Sequence, residues 1–335
     1  MDTSTVSLAL RSHPSIPVST QQRIRAVAER LGYHTNPLVR ALMIQRRTRS
    51  DSAYHGLIAY VTAHAPGYDW RRVPSHASLF DGARQQARSL GYDLEHFSLT
   101  APGLTDRRLS DILRARGVSG LVFAPLIEPR AAFDFDWASF ATVALNSPLE
   151  SPPLDWVCPD HYQQVRMAFA RCRSYGYRRI GLAITKHLSD TTDGRLLAAF
   201  TTDQALIPAR ARVPALVEPA EDRAPWPPSI VTWCNRYMPD VILTSTGPNG
   251  PTWLRLLAKT RSKPSLVSLA VDQHEGEIAG VLINAMQLGG MAIDVVVGHI
   301  LRNELGPLRA RRSHMLAGEW RDGPTCPSRS VAEPC

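Results

Sequence analysis

The sequence predicts an α/β protein: two similarly built lobes of parallel sheet behind a short, basic, all-α amino-terminal segment. Three observations carry this. From Gly56 onward, short apolar runs alternate with longer stretches of helical periodicity. Such alternation means right-handed crossovers and a parallel sheet covered on both faces. Second, Ser89-Leu90-Gly91-Tyr92 and Ser174-Tyr175-Gly176-Tyr177 each close a helix just before a strand. Glycine ends the helix in a left-handed conformation and the aromatic packs back over it. Third, charge is uneven: residues 1–50 hold eight arginines against Asp2 and Glu29, a net +6 of the chain's formal +8. A basic end on a near-neutral body is the layout of a phosphate-binding module tied to a larger domain, or of a solubilising tail.

Taken in order, residues 5–10 fit a short helical piece and 12–17 a loop. Ser19 is expected to cap a helix, with Gln22 closing a capping box. Ile24, Val27, Ala28 and Leu31 then repeat at i, i+3, i+4, i+7, and Gly32 supplies the stop. Pro37 suits the first turn of another short helix running to about Met43, and 46–53 is a polar, basic linker. In the body, strands are expected at 57–62, 93–98, 120–124, 141–145, 180–185, 213–217, 241–245 and 266–271. Helices are expected at 78–90, 106–116, 162–175, 194–206, 229–237, 251–260 and 288–303. Prolines cluster at 147–159, where one lobe could pass to the other, and at 219–228, a surface loop of the later lobe.

Composition sets the bounds. At 335 residues, 44% apolar and 20% charged, the chain is an ordinary globular sequence long enough for two or three domains. No apolar run approaches the roughly 18 residues of a membrane span, and the first residues show no basic-then-apolar leader. The expected compartment is the cytoplasm. Five cysteines (Cys158, Cys172, Cys234, Cys326, Cys335), widely spaced and without a CxxC pair, argue against a zinc site or a disulfide framework. There is no GxxxxGK[ST], GxSxG, HExxH or post-strand GxGxxG, and His13 and His274-Glu275 lack spaced metal partners. No enzyme, cofactor or metal is expected.

Two sets of residues carry a family resemblance. Thr5-Val6-Ser7-Leu8-Ala9-Leu10, Ile16-Pro17, Ser19-Thr20, Arg23-Ile24, Leu31-Gly32-Tyr33, Asn36-Pro37 and Leu42 resemble the DNA-binding headpiece of the lactose-repressor/galactose-repressor (LacI/GalR) family. Gly82-Ala83 through Gly91-Tyr92, Val157-Cys158-Pro159-Asp160, Gly176-Tyr177-Arg178-Arg179-Ile180, Val271-Asp272 and the closing Gly318 to Thr325 resemble the same family's effector domain. The resemblance implies a two-lobed, periplasmic-binding-protein-like effector domain with parallel sheets, preceded by a partial all-α helix-turn-helix headpiece. The implied division is 1–45 for headpiece and hinge helix, 46–55 for linker, 56–325 for the effector domain and 326–335 for a tail.

The implied function is effector-controlled, sequence-specific DNA binding by a homodimer, with a sugar as effector and no membrane partner. A helix-turn-helix reads DNA with the start of its second helix in the major groove. The resemblance puts Thr3, Ser4, Thr5 and Ser7 in that half-helix and Arg11 near a phosphate. Asn36 and Leu42 fall in a hinge helix whose leucine wedges into the minor groove. Asp160, Arg195 and Asp272 are implied to hold the effector; read on their own residues, Asp160 could instead cap a helix, Arg195 be solvated and Asp272 be a loop carboxylate. Trp70, Trp226 and Trp233 are stacking surfaces or, more simply, core. The sequence departs from the family in starting inside the recognition helix, in Thr246-Gly247 where Asn-Asp is usual, and in Ser75-His76 where an aromatic pair is usual. The headpiece as given, residues 1–50, is therefore expected to fold poorly alone and bind operator weakly or not at all. The alternative is a cytoplasmic ligand-binding protein that has lost DNA binding.

Overall fold

A computed structural model describes Thr5, Val6, Ala9 and residues 16–30, 56–65, 67–126, 133–146, 151–219, 229–245, 250–271 and 277–329. The chain divides into two compact units, Met1–Tyr54 and His55–Cys335.

In the first unit, Thr5, Val6 and Ala9 are helical and Ala9 is buried. Helix α1 is Val18–Arg30. It starts before the expected cap: the carbonyl of Pro17 accepts from the amides of Thr20 and Gln21 at 2.9 and 3.0 Å. Ser19 therefore lies inside the first turn. Gln21, rather than Gln22, folds back, its Nε2 donating to the Ile16 carbonyl at 2.8 Å. The physical reason is the proline, whose fixed φ pre-sets the chain for a helix immediately after it. Of the apolar stripe, Ile24 is buried and Val27 is exposed. Among the residues assigned to DNA contact, only Thr5 is described; Thr3, Ser4, Ser7, Arg11, Asn36 and Leu42, and the linker at 46–53, lie outside the described residues.

The second unit contains two six-stranded sheets. The first is built from β1 (Gly56–Thr62), β2 (Tyr92–Ser98), β3 (Val118–Phe123), β4 (Ala141–Leu145), β5 (Trp156–Pro159) and β11 (Ser313–Leu316), all parallel, in the order β11-β5-β4-β3-β1-β2. The second uses β6 (Ile180–Thr185), β7 (Leu216–Glu218), β8 (Val241–Thr244), β9 (Ser265–Val271), β10 (Gly280–Leu282) and β12 (Glu319–Arg321), in the order β12-β10-β9-β8-β6-β7. Only its edge strand β12 runs antiparallel. The near-unbroken apolar burial of β4, β6 and β8 is what strands covered on both faces require.

Sequence and structure part at the short elements. The strand expected at 213–217 begins only at Leu216, because Val213 gives its amide to the Gln204 side chain and Pro214 has no donor. Strands β10, β11 and β12, of three or four residues each, are too short to show a period. The six-residue helix α5 (Lys186–Thr191) is likewise unannounced.

Helices α2 (Pro74–Ser89) and α9 (Ala285–Arg302) cover one face of the first sheet and α3 (Asp106–Ala115) the other. In the second lobe, α4 (His161–Ser174) and α6 (Arg195–Ala205) share one core, while α7 (Ser229–Tyr237) and α8 (Gly250–Leu257) share another. Helices α2 and α9 meet backbone to backbone. A Cβ on Gly82 would lie 1.9 Å from the Met286 carbonyl oxygen, and one on Gly289 2.0 Å from that of Leu79.

The chain passes between lobes three times: from β5 into α4 at Asp160, from β10 into α9 at Asn284, and from β11 to β12 at Ala317-Gly318. Among the described residues, no helix is long and apolar enough to cross a membrane.

Candidate effector cleft

In open parallel sheets, ligands bind beyond the carboxyl ends of the strands. Two such sheets joined by three crossings put those ends around the crossings. The candidate residues are best read from there.

Asp160 ends β5 and opens α4. Its Oδ1 accepts the Gln163 amide at 2.9 Å, so one oxygen is committed to capping. His161 follows, its Nδ1 3.1 Å from the Gln164 side-chain oxygen. Burial, with the Arg195 charge adding to it, pushes this imidazole down to about 4, so it is neutral at physiological pH. Gln164 is 1% exposed and its Nε2 has no partner among the described residues.

Arg195 belongs to the second lobe but reaches the first. It opens α6 after Asp193 and Gly194, both with positive φ. Its guanidinium lies 4.7 Å over the Trp156 ring, with Nη1 3.3 Å from the Met315 sulfur and 4.0 Å from the Cys158 sulfur. Asp193 stands 3.8 Å from Nη2. Arg195 is thus no freely solvated helix residue: it is three-quarters buried at a junction of the lobes. A guanidinium on an indole face is a cation–π contact, stronger when partly desolvated. Burial pushes the adjacent Cys158 thiol up to about 11, against the pull of Arg195. Asp272 lies outside the described residues, one position past β9.

The structure adds residues that the sequence did not single out. Asn146, just past β4, has a φ of 60°, and its Oδ1 is buried with no partner among the described residues. Thr244 ends β8 in the other lobe, and its Oγ1 is in the same condition. Their signal was only positional: a polar residue at the carboxyl end of a wholly apolar strand. Past β1, His64 stacks on His76 at 5.7 Å and meets the Tyr68 ring at 4.9 Å. Thr62 Oγ1 is 2.9 Å from His96 Nε2. Burial, with Arg71 adding to it, pushes His96 down to about 4. Trp70 is buried against Tyr60, Phe80 and His96, and Trp233 is buried in the second lobe's core; Trp226 lies outside the described residues. No group of three or more metal-ligating side chains occurs among the described residues.

The fold defines a class: a two-lobed α/β domain of parallel sheets with three crossings. Solved structures of this class superimpose over nearly the whole chain. The lac repressor bound to ONPG covers 95% of this chain and 94% of its own at a TM-score of 0.55 and 14% identity. A CelR–cellobiose complex covers 94% and 93% at a TM-score of 0.55 and 16% identity. The second unit of this chain shares the fold of these proteins. In sequence, an HTH-type transcriptional regulator from the aml 5′ region of Streptomyces limosus is 30% identical over 186 residues, 54% of this chain and 48% of the relative. The HTH-type regulator MalR of Streptomyces coelicolor is 24% identical over 189 residues, 54% and 49% respectively. The chain spans about half the length of the curated relatives it matches. No family profile matches it.

Proposed function

We propose that this protein is a transcriptional regulator whose two-lobed domain senses a sugar and controls DNA binding by the basic amino-terminal unit. The observation that carries this is the pairing of Asn146 and Thr244. Each lobe ends a buried strand in a polar atom without a partner among the described residues, and a buried polar group left open is costly. A polyhydroxylated ligand supplies both donors and acceptors there. Arg195, Asp160 and Asp272 are assigned as the charged groups that bind its hydroxyls. Closing the lobes on a ligand moves the crossings, which is how an effector changes the spacing of a dimer's DNA-reading units. Thr3, Ser4, Thr5, Ser7, Arg11, Asn36 and Leu42 are assigned to DNA, as a homodimer in the cytoplasm would use them on a palindromic site. The reading is of a binding protein and not of an enzyme.

A thermal-shift screen across mono- and disaccharides tests the cleft. At least one sugar raises the melting temperature, and Arg195→Ala and Asp272→Ala each weaken its binding tenfold or more. A panel in which no sugar shifts the melt, or a hit indifferent to both variants, overturns the site. Fluorescence anisotropy on promoter DNA, with and without the hit, tests the coupling.

A further inference from the structure

We propose that the face formed by the amino ends of the second sheet's strands is a phosphate-binding surface for duplex DNA, gripping the backbone without reading sequence. The topology assembles it. Strands β9, β8, β6 and β7 are neighbours and run parallel. The turns that lead into them from α8, α7, α4 and α6 therefore all lie at one end of the sheet, opposite the candidate cleft. The closing segment runs beside them: the Arg329 amide donates to the Tyr175 carbonyl, and the Leu266 amide to the Thr325 carbonyl. These stretches, residues 171–179, 205–212, 235–240, 258–265 and 322–329, hold nine arginines and two lysines against Asp240 and Asp322. All of the eleven cations but Arg179 are exposed. The chain beyond residue 50 has a net charge of only +2, so this one face is strongly positive and the rest of the body is negative.

Hydrogen bonds tie the turns into one surface. The Asp240 carboxylate accepts the Arg178 and Arg179 amides, and its carbonyl accepts Arg329 Nη2 at 3.2 Å. Arg179 Nη1 donates to the Arg210 carbonyl at 2.7 Å, and the Arg261 amide to Asn235 Oδ1 at 2.8 Å. Two cations serve helix ends: Arg212 donates to the Ala205 and Ile207 carbonyls, and Arg179 to those of Tyr237 and Met238. Cations are expected at helix carboxyl ends, which accounts for these two. It leaves Arg178, Arg210, Lys259, Arg261 and Lys263, whose side chains have no partner among the described residues. Both acids are engaged, Asp322 by the Tyr175 hydroxyl and the Trp320 indole. Like charges this dense repel one another, and a polyanion relieves them. Arginine's planar fork suits phosphate. A protein partner would need an apolar centre poor in charge, whereas the large apolar side chains exposed in these stretches are Leu206 and Met238 alone. Four adjacent strands span about 14 Å, enough to set cations on both phosphate rims of a groove roughly 6–12 Å wide. That favours a duplex over a single strand. The choice of DNA among polyanions rests on the proposed function.

The chain's three lysines make the test direct. Lys259 and Lys263 lie on this face, and Lys186, at the other end of β6, serves as the internal reference. The full chain is acetylated at low salt with and without a short random-sequence duplex, and each lysine is quantified by mass spectrometry. Lys259 and Lys263 are expected to be protected and Lys186 to react as before; equal acetylation of all three with and without DNA overturns the proposal. In fluorescence anisotropy on the same duplex, the combined variant Arg178→Ala, Arg210→Ala, Arg261→Ala and Lys263→Ala is expected to bind tenfold or more weakly. Its slope of log affinity against log salt is shallower by about 3–4, at roughly 0.9 per lost phosphate contact. Unchanged affinity and slope overturn the proposal, as does polyglutamate displacing the duplex as well as unlabelled DNA of equal charge. If the variant fails to fold, the acetylation pattern of the unaltered chain decides alone. Neither sugar nor operator is in the tube, so a failure here leaves the sensing site standing, and the variant keeps the sugar-induced rise in melting temperature.

Discussion

Asp155 and Asp240 each stand one residue before a strand, β5 in the first lobe and β8 in the second, and they are satisfied in opposite ways. Asp155, its side chain wholly buried, gathers groups from distant parts of the chain. Its two oxygens accept the amide and Nε of Arg312, each at 2.7 Å, and His299 Nε2 lies 3.2 Å away. Glu304 completes the network, 3.0 Å from Arg312 Nη2 and 2.9 Å from Arg302. Asp240 instead accepts the neighbouring amides of Arg178 and Arg179, at 2.8 and 3.0 Å, and only skirts a side chain, Arg329, at 3.5 Å. One lobe is fastened at its base by a buried network of charges, the other by main-chain amides. A buried charge stripped of its partners costs far more than a surface one, so the first lobe is the more fragile under charge removal.

The sharpest way to break the contrast is Arg312→Ala. It leaves the wholly buried Asp155 carboxylate without its guanidinium partner, and about 3–5 kcal/mol of stability is expected to be lost, read by urea denaturation with Trp137 and Trp156 as first-lobe reporters. Asp240→Ala removes two charge-assisted bonds near the surface and is expected to cost about 2 kcal/mol, in the second lobe. Equal losses from the two variants would erase the distinction.

Acid sharpens the same comparison. The folded pKa of His96, about 4, lies below its ordinary 6.5, so the unfolded chain binds more protons between those values. First-lobe stability is full above 6.5 and is lost as pH falls towards 4; His299, lowered chiefly by burial, acts in the same direction. Glu304, held down to about 2 chiefly by the Arg302 hydrogen bond against an ordinary 4.5, adds stability above 4.5 that is lost as pH falls to 2. His96→Phe is expected to flatten the upper window, measured as the urea midpoint against pH. The smallest effect is Tyr177→Phe. It deletes the bonds to Ser265 and Pro327 and is expected to cost about 1 kcal/mol, seen as a drop of a few degrees in the second-lobe melt.

How much of this the sequence disclosed follows from what periodicity can carry. Strands such as β4, β6 and β8 were legible because burial on both faces makes them continuously apolar. Helix α4 was legible through Asp160, which caps it. The crossing at Asp160 was marked by the proline cluster at 147–159, but the other two were not: β10, β11 and β12 take their register from neighbours remote in sequence. Of the cleft, Arg195 was visible as a residue, but its seat on Trp156 was not, since that contact joins different lobes. Asn146 and Thr244 were invisible, because what marks them is the lack of a partner. The Asp155 network was equally hidden, its members spread from 155 to 312.

The glycine contact between α2 and α9 bears on biosynthesis. Gly82 and Gly289 are separated by most of the second lobe, yet each sits where the other helix's main chain leaves no room for a side chain. A ribosome must therefore release nearly the entire chain before the first lobe can shut its core. Until then the nascent α2 shows bare glycine and apolar surface to its surroundings.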